Sequence, residues 1–150
     1  MADLPFLYIN LEMKTFYLQF DGSWPDSLRD QLPEYCGIYL VYRGILSRGN
    51  LYCHEIIYIG QADNIRNRHI KHEKYSQFLS ECRSNEILFY SCAPVKKADL
   101  NCVENALIYK MRPKLNDKQI NSFPYDTTSI VSSGQCAMLI SEFTVERKDL

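Results

Sequence analysis

Residues 37–60 read GIYLVYRGILSRGNLYCHEIIYIG, with a β-rich run at each end: Gly37 to Tyr42, closing at Arg43-Gly44, and Glu55 to Gly60. Both runs are dominated by Ile, Leu, Val and Tyr, which fit a pleated, half-buried surface, and the two pair naturally in one sheet. Between them, Gly44 to His54 contains Gly49-Asn50 and a serine, and reads as a loop or an extended hairpin tip. Strand alternation places Tyr39 on a face with Gly37 and Val41, and Tyr58 on a face with Ile56 and Gly60. Both hydroxyls are then free to face one cleft.

Working outward, Asp63 is the expected N-cap of a helix through Ile65 to Phe78, which sets Arg68 and His72 at i and i+4 on one face. Glu86 to Ala93 reads as a third strand. Asp99 caps a further helix whose apolar stripe is Leu100, Val103, Leu107 and Met111, with Glu104 beside it. Pro113 stops that helix, and Lys114-Leu115-Asn116 leads into a polar loop. Ser129 to Val131 and Ala137 to Ile140 flank Ser132-Ser-Gly-Gln and predict a closing hairpin. Ahead of Gly37, Phe6 to Ile9 and Thr15 to Phe20 read as a hairpin, followed by a Gly22/Pro25 turn and a short amphipathic piece ending near Pro33.

A chain of 150 residues suits one domain with a single core, and 46% hydrophobic with 23% charged residues excludes disorder, collagen-like repeats and coiled coil. No run approaches the roughly 18 apolar residues of a membrane span, and Met1-Ala-Asp-Leu-Pro lacks the regions of a signal peptide, so a cytoplasmic protein with no membrane partner is expected. The six cysteines form no C-x-x-C pair, so they are read as buried thiols ahead of metal ligands or disulfides. The net charge of −1 predicts no partner until it is divided. Residues 1–36 carry six acidic and two basic side chains, while residues 61–118 carry eleven basic and seven acidic ones. A phosphate-binding face belongs to the middle, and the acidic start is expected to face away from it or to brace the core.

Gly37-Ile38-Tyr39 and Tyr58-Ile59-Gly60, followed in order by Arg68, His72, Glu104 and Asn116, resemble the signature of the GIY-YIG nuclease family. Either triplet alone is weak, since strand tyrosines usually pack; the specificity lies in the whole ordered set over residues 37–116. The resemblance implies an α/β fold, a small mostly antiparallel central sheet flanked by helices. Residues 37–118 would form the catalytic core, with β extensions at 1–36 and 119–150, all in one domain. It also implies a metal-dependent endonuclease, with DNA ahead of RNA as substrate and Mg²⁺ or Mn²⁺ as cofactor.

The chemistry of phosphodiester hydrolysis gives each residue a role. Arg68 offers planar, permanently charged donors to the phosphoryl oxygens. Glu104 is the best single candidate to hold the metal, since one carboxylate with waters and substrate oxygens is a usual Mg²⁺ arrangement. The attacking water loses its proton to Tyr39, whose ordinary pKa of about 10 demands help from a metal or from Arg68, or to His72, the chemically easier base at about 6.5. The residue types do not choose between them. Tyr58 orients water or phosphate, Asn116 ties the end of the Glu104 helix to the site, and Gly60 supports it. Arg66, Lys71, Lys74, Arg112 and Lys114 are the candidate nucleic-acid contacts, and a homodimer would bring two sites to two strands. His54 reads as a strand-edge residue and His69 as a helix-surface residue. The rival functions are a binding module on the same scaffold that has lost catalysis, and an RNA nuclease.

Overall fold

The structure is a computed structural model that describes residues 13–150. Six strands form one mixed sheet in the order β3-β2-β4-β1-β5-β6: β1 Lys14–Pro25, β2 Gly37–Ser47, β3 Asn50–Ala62, β4 Ile87–Pro94, β5 Thr128–Gly134 and β6 Glu142–Val145. Neighbours run antiparallel except β1 and β5, which run parallel. The helices are α1 Ile65–Ile70, α2 Tyr75–Glu81 and α3 Leu100–Met111, with short 3-10 turns at Asp26–Gln31 and Lys97–Asp99.

Two apolar layers result from strand alternation. On one face, Ile38, Leu40, Tyr42, Ile59 and Phe89 pack with Val103, Ala106, Leu107 and Ile108 of α3. Leu18 and Phe20 of β1, Ile130 of β5, and Phe143 and Val145 of β6 extend this cluster across the sheet. On the other face, Tyr39, Val41, Leu88, Tyr90 and Cys92 meet Leu32, Ile65 and Phe78. Among the described residues no helix is long and apolar enough to cross a membrane.

Several expectations change. Of the two expected forms for Gly44 to His54, the extended hairpin tip is the one found and the loop is not: the ladder continues to Ser47↔Asn50 around Arg48-Gly49, whose φ values of 52° and 79° are those a type I′ turn requires. Since β2 pairs with β4 only as far as Gly44↔Ile87, the residues beyond form a two-stranded arm. Thr15 to Phe20 is bonded to β5 over Lys14–Phe20, a pairing the sequence did not suggest, while Asp21–Pro25 pairs with β4. The expected partner, Phe6 to Ile9, lies outside the described residues. The closing hairpin uses Glu142–Val145, not Ala137 to Ile140, because the register Thr128↔Val145 to Val131↔Glu142 puts Phe143 and Val145 into the core. Among the cysteines only Cys92 is fully buried.

The helix expected over Ile65 to Phe78 is two helices. Its N-cap is Asn64, not Asp63: the Asn64 side chain accepts from the Asn67 N–H at 3.0 Å. Asp99 stands at the N-cap position of α3 but makes no side-chain cap bond. Part of the acidic N-terminal stretch is a brace, since Asp26 accepts hydrogen bonds from Tyr75 and Tyr90, each at 2.6 Å, and pairs with Arg29.

Candidate nuclease site

The glycines of the two triplets have steric reasons. Tyr39 pairs with Gly60 in the β2–β3 register, and a Cβ on Gly60 would lie 2.3 Å from Cζ and Oη of the Tyr39 ring. A Cβ on Gly37 would lie 2.1 Å from the Ala93 carbonyl oxygen. Gly60 therefore makes room for a catalytic candidate, and Gly37 for the close approach of β4.

Tyr58 reaches the Tyr39 face by an irregularity. The register slips between Val41↔Tyr58 and Tyr42↔Ile56, leaving Ile57 as an extra residue. Ile57 and Tyr58 consequently turn to the same side, while Ile56 packs under α3. The expectation that Tyr58 shares a face with Ile56 is corrected by this bulge. The two rings lie 6.3 Å apart at 29°.

His72 sits in the turn between α1 and α2, so it does not share a helix face with Arg68. The break lets it swing under the sheet, where it is 6% exposed. Its Nε2 is 2.8 Å from the Tyr39 hydroxyl, and its Nδ1 accepts from the Lys74 N–H at 3.1 Å. Burial, then the nearby Arg68 charge, lowers its pKa to about 4, so the ring is neutral at pH 7. With Nδ1 occupied as an acceptor, the proton resides on Nε2 and is donated to Tyr39 Oη. Tyr39 is 1% exposed, and burial is the chief reason its pKa is raised; Arg68 acts the other way. Burial likewise raises Tyr58.

Arg68 makes a two-point contact with Glu73: Nη2 to Oε1 at 2.7 Å and Nη1 to Oε2 at 2.6 Å. On α3, Glu104 is half-buried, which raises its pKa, and its Oε1 accepts from Gln61 Nε2 at 3.0 Å. Its charge is felt by both tyrosines. Asn116 clasps the outer edge of β3 between Tyr58 and Gly60, accepting from the Ile59 N–H at 3.0 Å and donating to the Ile59 carbonyl at 2.9 Å. Leu115 adds a bond from its N–H to the Ile57 carbonyl at 3.0 Å.

The basic candidates divide. Lys71 is exposed, and Lys74 Nζ lies 5.7 Å from the Tyr58 ring centre. Arg66 is engaged by the Leu32 carbonyl and Glu34, Lys114 by Glu81, and Arg112 by the Ile120 carbonyl and Asn121. His54 does have a partner: its Nδ1 is 2.5 Å from Glu86 Oε2.

His69 is misread by the sequence as a surface residue. It is 3% exposed, edge-on to Tyr39 at 4.3 Å and beside Tyr90 at 4.8 Å, and burial lowers its pKa to about 3. Its i+4 spacing from the buried Ile65 was the available signal.

Among the described residues no three His, Cys, Asp or Glu side chains cluster as metal ligands. The donor set is one carboxylate with hydroxyls near it. That does not suit the nitrogen and sulfur cage of zinc, but it fits a hard cation that keeps several waters.

No protein-family model and no curated protein matches the chain. Among solved structures, two point mutants of the GIY-YIG N-terminal endonuclease domain of UvrC from Thermotoga maritima, each bound to its catalytic divalent cation, align at 24% and 23% identity. Each alignment covers 61% of this chain and 93% of the other, with a TM-score of 0.41. Over that segment the chain is similar to a GIY-YIG endonuclease domain.

Proposed function

We propose that this chain is a divalent-metal-dependent endonuclease that hydrolyses phosphodiester bonds, in DNA ahead of RNA, using Tyr39, Tyr58, Arg68, His72 and Glu104. The observation that carries it is the 2.8 Å bond between Tyr39 and a neutral His72. A phenol that accepts from His72 Nε2–H keeps its own proton free to leave, and the same donor steadies the phenolate once formed. This favours Tyr39 as the base and His72 as the residue that positions it.

Tyr39 is held protonated by burial until positive charge reaches it. Arg68 already acts in that direction, and its planar donors suit a phosphoryl group whose oxygens gain charge in the transition state. Glu104, through one carboxylate, would hold the cation, and a cation there would favour its ionised form against the burial that now raises its pKa. When bound, Mg²⁺ or Mn²⁺ supplies Lewis-acid stabilisation of the leaving 3′ oxygen. Tyr58 stands beside Tyr39 to orient water or phosphate. Asn116 positions both tyrosines indirectly by fixing β3 at Ile59, and Gly60 keeps the Tyr39 ring in place. Lys71 and Lys74 are the basic side chains best placed to meet the backbone of the nucleic acid.

The test is digestion of supercoiled plasmid and of labelled RNA in parallel, with and without Mg²⁺ or Mn²⁺. Metal-dependent nicking of plasmid is expected, falling by about a hundredfold or more in Arg68→Ala and in Glu104→Ala proteins that keep their circular dichroism. Activity that survives both substitutions overturns the assignment. Binding without cleavage under any metal supports the non-catalytic module instead.

A further inference from the structure

We infer that Glu73 occupies the seat of the substrate phosphate on Arg68, so that nucleic acid enters the site by exchanging one anion for another; this rests on the nuclease reading above. The two contacts, 2.7 and 2.6 Å, use two nitrogens of one guanidinium and two oxygens of one carboxylate. That fork geometry is the one by which arginine also grips a phosphate. The carboxylate lies on the solvent side: the Glu73 side chain is 66% exposed against 28% for Arg68. An arriving phosphodiester therefore meets Glu73 first.

Three further features agree. Glu73 belongs to the turn that splits α1 from α2, next to His72, so its place over Arg68 follows from the same break that delivers His72 to Tyr39. Arg68 holds Glu73 ionised, with its pKa lowered to about 2, so the stand-in is an anion at every working pH. Its charge also opposes ionisation of Tyr39 and Tyr58, the reverse of what Arg68 does. A carboxylate that stayed on Arg68 during the reaction would work against the proposed base, whereas one that leaves when phosphate arrives would not. Exposed pairs of this kind are weak enough to yield to a ligand that brings many contacts at once.

The inference is tested on the full chain by fluorescence anisotropy with a labelled DNA duplex in EDTA at fixed ionic strength, and by steady-state cleavage in Mg²⁺. Glu73→Gln is expected to bind about fivefold more tightly than the parent and to lower KM with kcat unchanged. The gain should vanish when Glu73→Gln is combined with Arg68→Ala. Equal or weaker binding by Glu73→Gln, while Arg68→Ala weakens binding, overturns the inference and leaves the nuclease reading standing. An Arg68→Ala protein that binds and cleaves like the parent overturns both.

Discussion

Gly60 and Tyr39 form the tightest pairing of a glycine with a side chain in the two triplets. A methyl at position 60 would need the space of the Tyr39 ring, whose atoms stand 2.3 Å from its ideal position. Rotating that ring breaks its bond to His72 before it disturbs the sheet. Gly60→Ala is therefore expected to cost about 1–3 kcal/mol of stability in urea titrations, in line with other overpacked sites. It should nevertheless abolish plasmid nicking in protein that remains folded. Full activity would show that the Tyr39–His72 contact is dispensable. In the proposed mechanism the same contact favours Tyr39 over His72 as the base, since a neutral histidine whose Nδ1 already accepts from the Lys74 N–H and whose Nε2 faces Tyr39 has no lone pair free.

At the scale of elements, α1 and the turn that follows it pack two neutral imidazoles, His69 and His72, beneath Tyr39. Their folded pKa values, about 3 and about 4, lie below the unfolded value of 6.5. Over that interval the unfolded chain binds more protons, so stability is fully present above about pH 6.5 and is lost as pH falls toward the folded values. His69, the more deeply buried of the two, removes at most about 1.4 kcal/mol per pH unit. Glu104, whose pKa is raised, acts in the opposite sense. Urea midpoints measured at pH 7, 6 and 5 should decline, and His69→Phe should flatten the decline. An unchanged slope in that variant would show that His69 does not remain neutral in the fold.

The same turn explains how far the sequence could be read. The strands Gly37 to Tyr42 and Glu55 to Gly60 and the stripe of α3 were legible, because period-2 and period-3.6 patterns record burial directly. The ordered set from Tyr39 to Asn116 was legible because its residue types are unusual together. The β-bulge at Ile57 was not: an inserted residue leaves composition untouched and shows only when β3 is laid against β2. The helix break carries no proline or glycine and is driven by the burial of His72 against Tyr39 and Phe78, a tertiary cause. His69 was hidden because a histidine on an expected surface face offers no apolar signal. The second strand of the C-terminal hairpin was misplaced because Ala137 to Ile140 is as apolar as a strand, yet Met138 takes a left-handed φ of 63° there.

Across the described residues, β1 joins the β3-β2-β4 part of the sheet to β5 and β6. It sits between β4, next to the strand that carries Tyr39, and β5, the partner of the C-terminal strand. Phe20, 1% exposed, shares one buried cluster with Leu40 of β2, Leu107 of α3 and Ile130 of β5. Phe20→Ala is expected to destabilise the protein by about 3–5 kcal/mol. Unfolding should stay a single transition, with the near-ultraviolet signal of the site tyrosines and the fluorescence of Trp24 lost together. Two separated transitions would mean that β1 folds apart from the site. Charge follows the same plan: Asp26 and Glu34 of the acidic start are spent on Arg29, Arg66, Tyr75 and Tyr90, while Lys71 is exposed and Lys74 lies over the Tyr58 ring.

The clasp of Asn116 and Leu115 on β3 has a consequence for solubility. β3 is an outermost strand, and the free N–H and C=O groups of such a strand invite a foreign chain to add on. The N–H and C=O of Ile59 and the C=O of Ile57 are already taken by the segment that follows α3. The stretch of edge beside Tyr58 thus offers a foreign strand fewer open groups, and the amide that holds β3 also blunts strand-by-strand aggregation there.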